Sequence, residues 1–170
     1  MQEKDIEIAL QRICLQIFEK NSEPEKIAVV GIHTCGVHLG RQLHGMLSEQ
    51  LDVEVAFGSL DINLYRDDWS LMSQNPVVKT TDIPFDVDNA AIILVDDVIF
   101  SGRTIRAAME ALFDFGRPAS LQLAALIDRG GRELPIQPDY VGLTIDVQSD
   151  ERINVLVNDK GVCSEVVMES

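Results

Sequence analysis

Cysteine is scarce in this sequence, and its spacing argues against two kinds of structural cross-link. The three cysteines, Cys14, Cys35 and Cys163, lie far apart, and no Cys-x-x-Cys pair is present. A disulfide framework uses an even, patterned set of cysteines, and a structural zinc site needs four nitrogen or sulfur ligands close together. We therefore expect neither, and the fold depends on a buried apolar core.

Long apolar runs are also missing. No uninterrupted apolar stretch reaches the roughly 18 residues that a membrane-spanning helix needs. The first residues, MQEKDIEIAL, lack the basic start and the apolar stretch of a secretory signal. These two absences predict a cytoplasmic protein with no membrane partner.

Positive charge is in short supply. Lys and Arg number 14 against 28 Asp and Glu, so the formal net charge is −14 at pH 7. Such a surface repels nucleic-acid phosphates on average, and RNA binding would need a local basic patch. The 170 residues, 46% apolar and 25% charged, suit one globular domain spanning residues 1–170.

Apolar periodicity predicts alternating helices and strands. This alternation favours an α/β fold, with a mainly parallel sheet flanked by helices. The polar stretch Arg66 to Asn75 predicts a mobile loop, with Val77 to Val87 as its returning strand. The predicted helices are Asp5–Lys20, Val37–Leu51 and Thr104–Phe115, and the predicted strands are Lys26–Ile32, Val53–Tyr65, Ala90–Val95, Leu121–Ile127 and Tyr140–Ile145, followed by a C-terminal hairpin of Arg152–Val157 and Val162–Val167.

The segment Ile92 to Thr104, IILVDDVIFSGRT, carries the clearest chemical signal. Asp96 and Asp97 follow an apolar strand, at the sheet edge where ligands of open α/β sheets bind. Two adjacent carboxylates can accept hydrogen bonds from vicinal hydroxyls or support a magnesium ion. Ser101 to Thr104 then opens a helix, whose backbone N–H groups and dipole favour an anion.

Simpler interpretations compete for each of these features. Two acids after a strand are often a solvated loop, and Ser or Thr at a helix start is a common cap. The Rossmann fingerprint is absent, and Ser101-Gly102-Arg103-Thr104 lacks the lysine of a Walker A loop. The combination of strand, acid pair and glycine-containing turn favours a ligand with a diol at one end and a phosphate at the other, such as ribose 5-phosphate.

IILVDDVIFSGRT also resembles the thirteen-residue signature with which type I phosphoribosyltransferases bind phosphoribosyl pyrophosphate (PRPP). LDINLYRDD, RAAMEALFDFGRP and LIDRGGRELPIQPDYVG are similar to segments of the PyrR family of pyrimidine operon regulators. The resemblance implies a type I phosphoribosyltransferase fold and a glycosyltransferase reaction in which uracil and PRPP give UMP and pyrophosphate. It also implies Mg²⁺ bound with PRPP, a homodimer or larger homo-oligomer, and, in many members, RNA binding.

The resemblance assigns roles to individual residues. Asp96 and Asp97 would hold the ribose hydroxyls and help place Mg²⁺, with no metal held by the protein alone. The 5′-phosphate would lie on the residues Val98, Ile99, Phe100, Ser101, Gly102, Arg103 and Thr104. The remaining roles are a pyrophosphate loop of Thr34, Cys35 and Gly36, a flexible loop with Arg66 and Asp67 that closes over PRPP, and a base region with Arg129 and Ile145.

Two departures from the family pattern keep a second function open. Cys35 stands where the family usually has arginine, which removes a charged donor from the pyrophosphate loop. Gly131 stands where the family often has histidine, and the first predicted helix carries few basic residues. The alternative is a regulator that senses UMP or PRPP with little catalysis, and RNA attenuation is not favoured. A phosphorylated receiver domain, which also has paired acids, ranks far behind because its pair lies near the N-terminus.

Overall fold

The computed structural model describes residues 1–68, 80–147 and 151–169. The predicted α/β fold with a mainly parallel sheet and a C-terminal hairpin is confirmed. Among the described residues, no helix combines the length and the apolar character of a membrane span. The elements are α1 Glu3–Lys20, β1 Ile27–Ile32, α2 Cys35–Gln50, β2 Val55–Leu60, a short 3-10 helix Asn63–Tyr65, β3 Ala91–Ile99, α3 Arg103–Phe113, β4 Ser120–Asp128, β5 Tyr140–Thr144, β6 Arg152–Val157 and β7 Cys163–Glu169.

Five parallel strands form the central sheet in the order β2-β1-β3-β4-β5. The chain moves outward from β1 to β2 and then returns to the other side of β1 to form β3. In such sheets the point where the strand order reverses leaves a crevice at the carboxyl ends of the strands. The ends of β1 and β3 are therefore where this fold places a ligand.

Apolar side chains cover both faces of the sheet. Helices α1 and α2 and the antiparallel hairpin β6–β7 pack on one face, and α3 packs on the other. Strand β1 is buried along its whole length, which explains why its sequence, IAVVGI, is continuously apolar rather than alternating. The two cores hold the sheet edge rigid from both sides.

Two predicted strands in the middle of the chain differ in the structure. The single strand predicted for Val53–Tyr65 is wrong, because β2 ends at Leu60 and a 3-10 helix follows. The Asp61 carboxylate accepts a hydrogen bond from the Asn63 N–H at 2.9 Å, and this local turn ends the extended backbone. Within residues 80–87, the predicted return strand is reduced to one antiparallel bridge between Ser59 and Asp82, and its start lies outside the described residues.

Strand β3 is longer than predicted, and this moves the acid pair. The prediction ended it at Val95, whereas β3 continues to Ile99. Pairing with β4 extends the strand, with Asp96 opposite Ala125 and Ile99 opposite Asp128. Asp96 and Asp97 are therefore held in a strand and not in a loop. The second helix also starts earlier than predicted, at Cys35 instead of Val37, so that only His33 and Thr34 separate it from β1.

Candidate functional site

The start of α2 lies directly against the end of β3. A Cβ atom at Gly36 would be 2.5 Å from the Val95 carbonyl oxygen, so only glycine permits this approach. The His33 N–H donates to the Leu60 carbonyl at 3.0 Å, which ties the short loop to β2 as well. The structure thus brings the start of α2, which follows Thr34 and includes Cys35 and Gly36, close to the acid pair.

Asp96 and Asp97 form a tightly coupled pair of carboxyl groups. Asp96 is only 6% exposed, and its Oδ1 accepts a hydrogen bond from the Asp97 N–H at 3.0 Å. Burial, followed by the charge of Asp97, raises the pKa of Asp96 well above its ordinary value. Among the described side chains, no salt bridge involves either carboxyl group. The pair can accept hydroxyl hydrogen bonds or a cation without first breaking an ion pair.

Cys35 lies between this acid pair and the C-terminal hairpin. Its Sγ donates a hydrogen bond to the Val155 carbonyl oxygen at 3.4 Å. Burial, together with the nearby Asp97 and Cys163, raises the pKa of the Cys35 thiol to about 12. With this pKa the thiol stays protonated at neutral pH, so Cys35 behaves as an inert small side chain and not as a reactive thiolate. The position that the sequence predicted as part of a pyrophosphate loop thus holds a neutral group.

The turn between β3 and α3 forms the cradle that the sequence predicted as an anion site. Gly102 adopts a left-handed conformation with φ of 91°, which lets the backbone turn sharply into α3. The Ser101 hydroxyl accepts a hydrogen bond from the Arg103 N–H at 3.3 Å. A cavity of about 200 Å³ opens beside this turn, lined by Arg66, Asp67, Asp68, Ser101, Arg103 and Thr104.

Not every residue of the predicted phosphate segment faces this cavity. Val98 packs against the α1/α2 core and Ile99 is buried in the opposite core, so their side chains position the turn. Phe100 is 45% exposed at the mouth of the site. Arg66 and Asp67, which the sequence placed in a flexible loop, line this cavity, while most of that loop lies outside the described residues.

A segment that sequence reasoning missed braces this turn from the other side. The Ser101 carbonyl oxygen accepts hydrogen bonds from the N–H groups of Glu133 and Leu134, at 2.9 and 3.1 Å. Arg132 donates to the Phe100 carbonyl at 2.8 Å and pairs with Asp128 at 2.7 Å. The sequence marked these residues only as part of the family-like segment LIDRGGRELPIQPDYVG and gave them no role in this turn.

The predicted base region lies at the ends of β4 and β5. The Arg129 guanidinium stacks over the Phe100 ring, 4.3 Å from its centroid. Gly131 makes room for this ring, because a Cβ there would lie 2.4 Å from it. Ile145 donates its N–H to the Asp128 carbonyl at 2.9 Å and packs against the α1/α2 core. Arg129 thus packs on the half-exposed Phe100 ring at this edge of the sheet, and Ile145 mainly supports the sheet.

Comparison with known proteins agrees with this geometry. A model of the phosphoribosyl transferase domain family matches residues 2–160. The bifunctional protein PyrR of Syntrophobacter fumaroxidans is 47% identical over 169 residues, covering 99% of this chain and 91% of that protein. The bifunctional protein PyrR of Deinococcus radiodurans is 48% identical over 151 residues, covering 89% of this chain and 82% of that protein.

Solved structures with the same fold are more distant in sequence. The hypoxanthine phosphoribosyltransferase of Trypanosoma cruzi superposes with a TM-score of 0.65 at 18% identity, over 85% of this chain and 79% of that chain. A hypoxanthine-guanine phosphoribosyltransferase of Bacillus anthracis gives 0.63 at 18% identity, over 86% and 82%. These structures support the fold, and the family match and the sequence identities establish that the chain belongs to the phosphoribosyl transferase domain family and, within it, to the PyrR family.

Proposed function

We propose that this chain transfers the 5-phosphoribosyl group of PRPP to uracil, giving UMP and pyrophosphate. The observation that carries the proposal is the acid pair Asp96–Asp97 held on β3, one turn away from an anion cradle at the start of α3. A diol-binding pair and a phosphate-binding turn on one rigid strand–turn–helix match the two ends of ribose 5-phosphate. The choice of uracil follows from membership of the PyrR family.

The proposed roles follow the positions of the groups. Asp96 and Asp97 accept hydrogen bonds from the ribose hydroxyls, and the Ser101 to Thr104 turn donates to the 5′-phosphate. Backbone N–H groups of Thr34, Cys35 and Gly36 hold pyrophosphate. Arg129 contacts the base or nucleotide, with Ile145 as a weaker candidate that packs beneath it.

Magnesium fits this site as a partner of PRPP. The chain offers two adjacent carboxyl groups, and the described residues contain no cluster of three or more His, Cys, Asp or Glu side chains that could hold a metal. Mg²⁺ is typically held by one or two carboxylates together with water and substrate phosphates, so PRPP would supply the missing ligands. When bound, the ion neutralises charge that develops on pyrophosphate.

The reaction needs position and charge stabilisation rather than a protein nucleophile. The C1′–oxygen bond to pyrophosphate breaks, and its electron pair leaves with pyrophosphate. A uracil nitrogen forms the new bond to C1′ and gives up its proton to solvent. The Thr34–Gly36 loop holds the leaving group, and the acid pair fixes the ribose beneath the base, so that the reacting atoms are aligned.

The assignment is tested by removing both charges of the acid pair. We expect Asp96→Asn with Asp97→Asn to abolish nearly all PRPP binding in titration calorimetry with Mg²⁺ present. Asp86→Asn is the matched control, because Asp86 forms an exposed salt bridge with Lys26 just before β1, at the opposite edge of the sheet. Unchanged PRPP affinity in the double variant would exclude these roles.

Cys35 supports a second candidate, a nucleotide-sensing regulator with little catalysis. A neutral thiol at this position offers no charged donor to pyrophosphate, whereas binding of UMP needs only the ribose and phosphate sites. Steady-state consumption of uracil and PRPP, with adenine, guanine and hypoxanthine as controls, separates the two. Micromolar UMP binding without turnover would favour the regulator. The homo-oligomer and the cytoplasmic location stay predictions.

A further inference from the structure

The cavity beside the turn between β3 and α3, proposed above to bind the 5′-phosphate and called the phosphate cavity below, is lined by acidic as well as basic side chains. Arg66 and Arg103 face the cavity together with Asp67 and Asp68, beside the Ser101 and Thr104 hydroxyls. Carboxylates that face a phosphate cavity would repel the phosphate. The proposed reaction gives these two carboxylates no role.

Each of the two arginines is paired with one of the two aspartates. Arg66 holds Asp68 in a two-pronged contact, from Nε to Oδ1 at 2.8 Å and from Nη2 to Oδ2 at 2.7 Å. Arg103 Nη1 donates to Asp67 Oδ2 at 2.6 Å. A carboxylate presents two oxygens to a guanidinium much as a phosphate does. Asp67 and Asp68 thus accept the hydrogen bonds of Arg103 and Arg66 that a bound phosphate would otherwise accept.

A third acid holds Arg103 without occupying the cavity. Arg103 Nε donates to Glu133 Oε2 at 2.6 Å, from the segment whose N–H groups bind the Ser101 carbonyl. Glu133 does not line the cavity, so Nη1 is the atom that Asp67 and a ligand would share. Glu133 therefore keeps the guanidinium in place while its cavity-facing partner changes.

We propose that Asp67 and Asp68 are built-in competitors for the 5′-phosphate, which a phosphomonoester displaces from Arg103 and Arg66 when it binds. The ligand identity rests on the proposed function. A phosphate dianion carries more negative charge than one carboxylate, and it also accepts hydrogen bonds from the backbone N–H groups at the start of α3. The exchange sets a cost that every anion entering the cavity must overcome, and a dianionic phosphate overcomes it most readily because of its larger charge.

The exchange is tested with ribose 5-phosphate in titration calorimetry at constant ionic strength. Because exposed ion pairs contribute little, we expect Asp67→Asn to bind ribose 5-phosphate about two- to fivefold more tightly than the unmodified chain. Arg103→Gln should bind it more weakly. Asp86→Asn, which removes the same charge from the remote Lys26 pair, should leave the affinity unchanged.

The double variant separates exchange from simple charge repulsion. When Arg103→Gln is already present, Asp67→Asn should lose most of its effect, because no shared cation remains. An equal gain in both backgrounds, or no gain in either, would overturn the exchange. If the unmodified chain bound no ribose 5-phosphate at all, the proposed function itself would fail, and this outcome is distinct from ribose 5-phosphate binding without a gain in Asp67→Asn.

Discussion

Asp96 shows how a single residue combines a functional role with a cost to stability. Its carboxyl group is buried beside Asp97 at the end of the apolar part of β3, and the described residues give it no salt bridge. Burying an acid without a cation disfavours its ionised form, which is why its pKa is raised. An apolar or neutral polar residue would stabilise the fold better at this position.

Asp96→Asn is expected to stabilise the protein at neutral pH while weakening PRPP binding. Folding raises the pKa of Asp96. The contribution of this group to stability is therefore fully present below its unfolded-state pKa of about 4, and it is lost as the pH rises through its folded-state pKa. The free energy of unfolding, measured in urea from pH 5 to 8, should therefore increase relative to the unmodified chain as the pH rises. The melting temperature should be a few degrees higher at pH 8.

The control for this prediction is Asp86→Asn. The hydrogen bond from Lys26 lowers the pKa of Asp86, so this group stays ionised from pH 5 to 8 in both states. The difference between Asp86→Asn and the unmodified chain should be constant with pH. A pH-independent difference for Asp96→Asn as well would contradict the proton linkage.

At the scale of elements, the turn between β3 and α3 depends on the segment that follows β4. Arg132 joins Asp128, the Phe100 carbonyl and the Ile136 carbonyl, all at 2.7 to 2.8 Å. Burial tends to raise the pKa of Asp128, but the hydrogen bonds from Arg132 and the Gly130 N–H outweigh it, and the pKa is lowered. The end of β4 and the turn after β3 are thus locked together.

We expect Arg132→Ala to lower the free energy of unfolding by about 2–3 kcal/mol. This loss is slightly below the range for a fully buried pair, because the Arg132 side chain is 13% exposed and the Asp128 side chain is 15% exposed. Urea denaturation at pH 7 measures the loss. Asp128 has a lowered pKa, so the ion pair stabilises the fold above pH of about 4 and loses its effect as the pH falls through the folded pKa. The loss of stability caused by Arg132→Ala should therefore become smaller as the pH falls through this range.

Lys26→Ala is the matched control for Arg132→Ala, since Lys26 forms an exposed pair with Asp86. It should cause no measurable loss of stability. Equal effects of the two substitutions would show that Arg132 acts as an ordinary surface residue and not as a brace of the turn between β3 and α3.

For the whole molecule, charge is the dominant property. The net charge is −14, and several of the basic residues are already paired. Six Lys and Arg side chains take part in salt bridges among the described residues, namely Lys20, Lys26, Arg66, Arg103, Arg106 and Arg132. The 28 Asp and Glu residues outnumber the 14 Lys and Arg residues twofold, so a single chain repels RNA phosphates on average.

We expect no tight binding to pyrimidine-operon leader RNA. In a filter assay at about 150 mM salt with UMP present, the affinity should stay in the range of non-specific binding, weaker than about 1 µM. A scrambled RNA of the same length is the control and should bind equally weakly. Nanomolar binding of the leader alone would contradict this prediction.

The α/β fold and the PyrR family were predictable from the sequence and are confirmed. Continuous apolar runs marked β1 and β3, because strands buried on both faces have no polar alternation. The early end predicted for β3 failed because Asp96 and Asp97 are polar residues that strand pairing with β4 keeps extended. Polar identity alone does not report such pairing. The individual site roles stay predictions.

The sequence by itself determined the chemistry of one strand–turn–helix, since its acids, glycine and hydroxyls are adjacent in the chain. Only the tertiary structure decided which groups surround it. The pair Asp67–Arg103, the hydrogen bond from Arg132 to the Phe100 carbonyl and the contact of Cys35 with Val155 depend on the strand order and on loops that return to the same sheet edge. Local patterns carry no information about such distant contacts, because packing and register of the whole sheet set them.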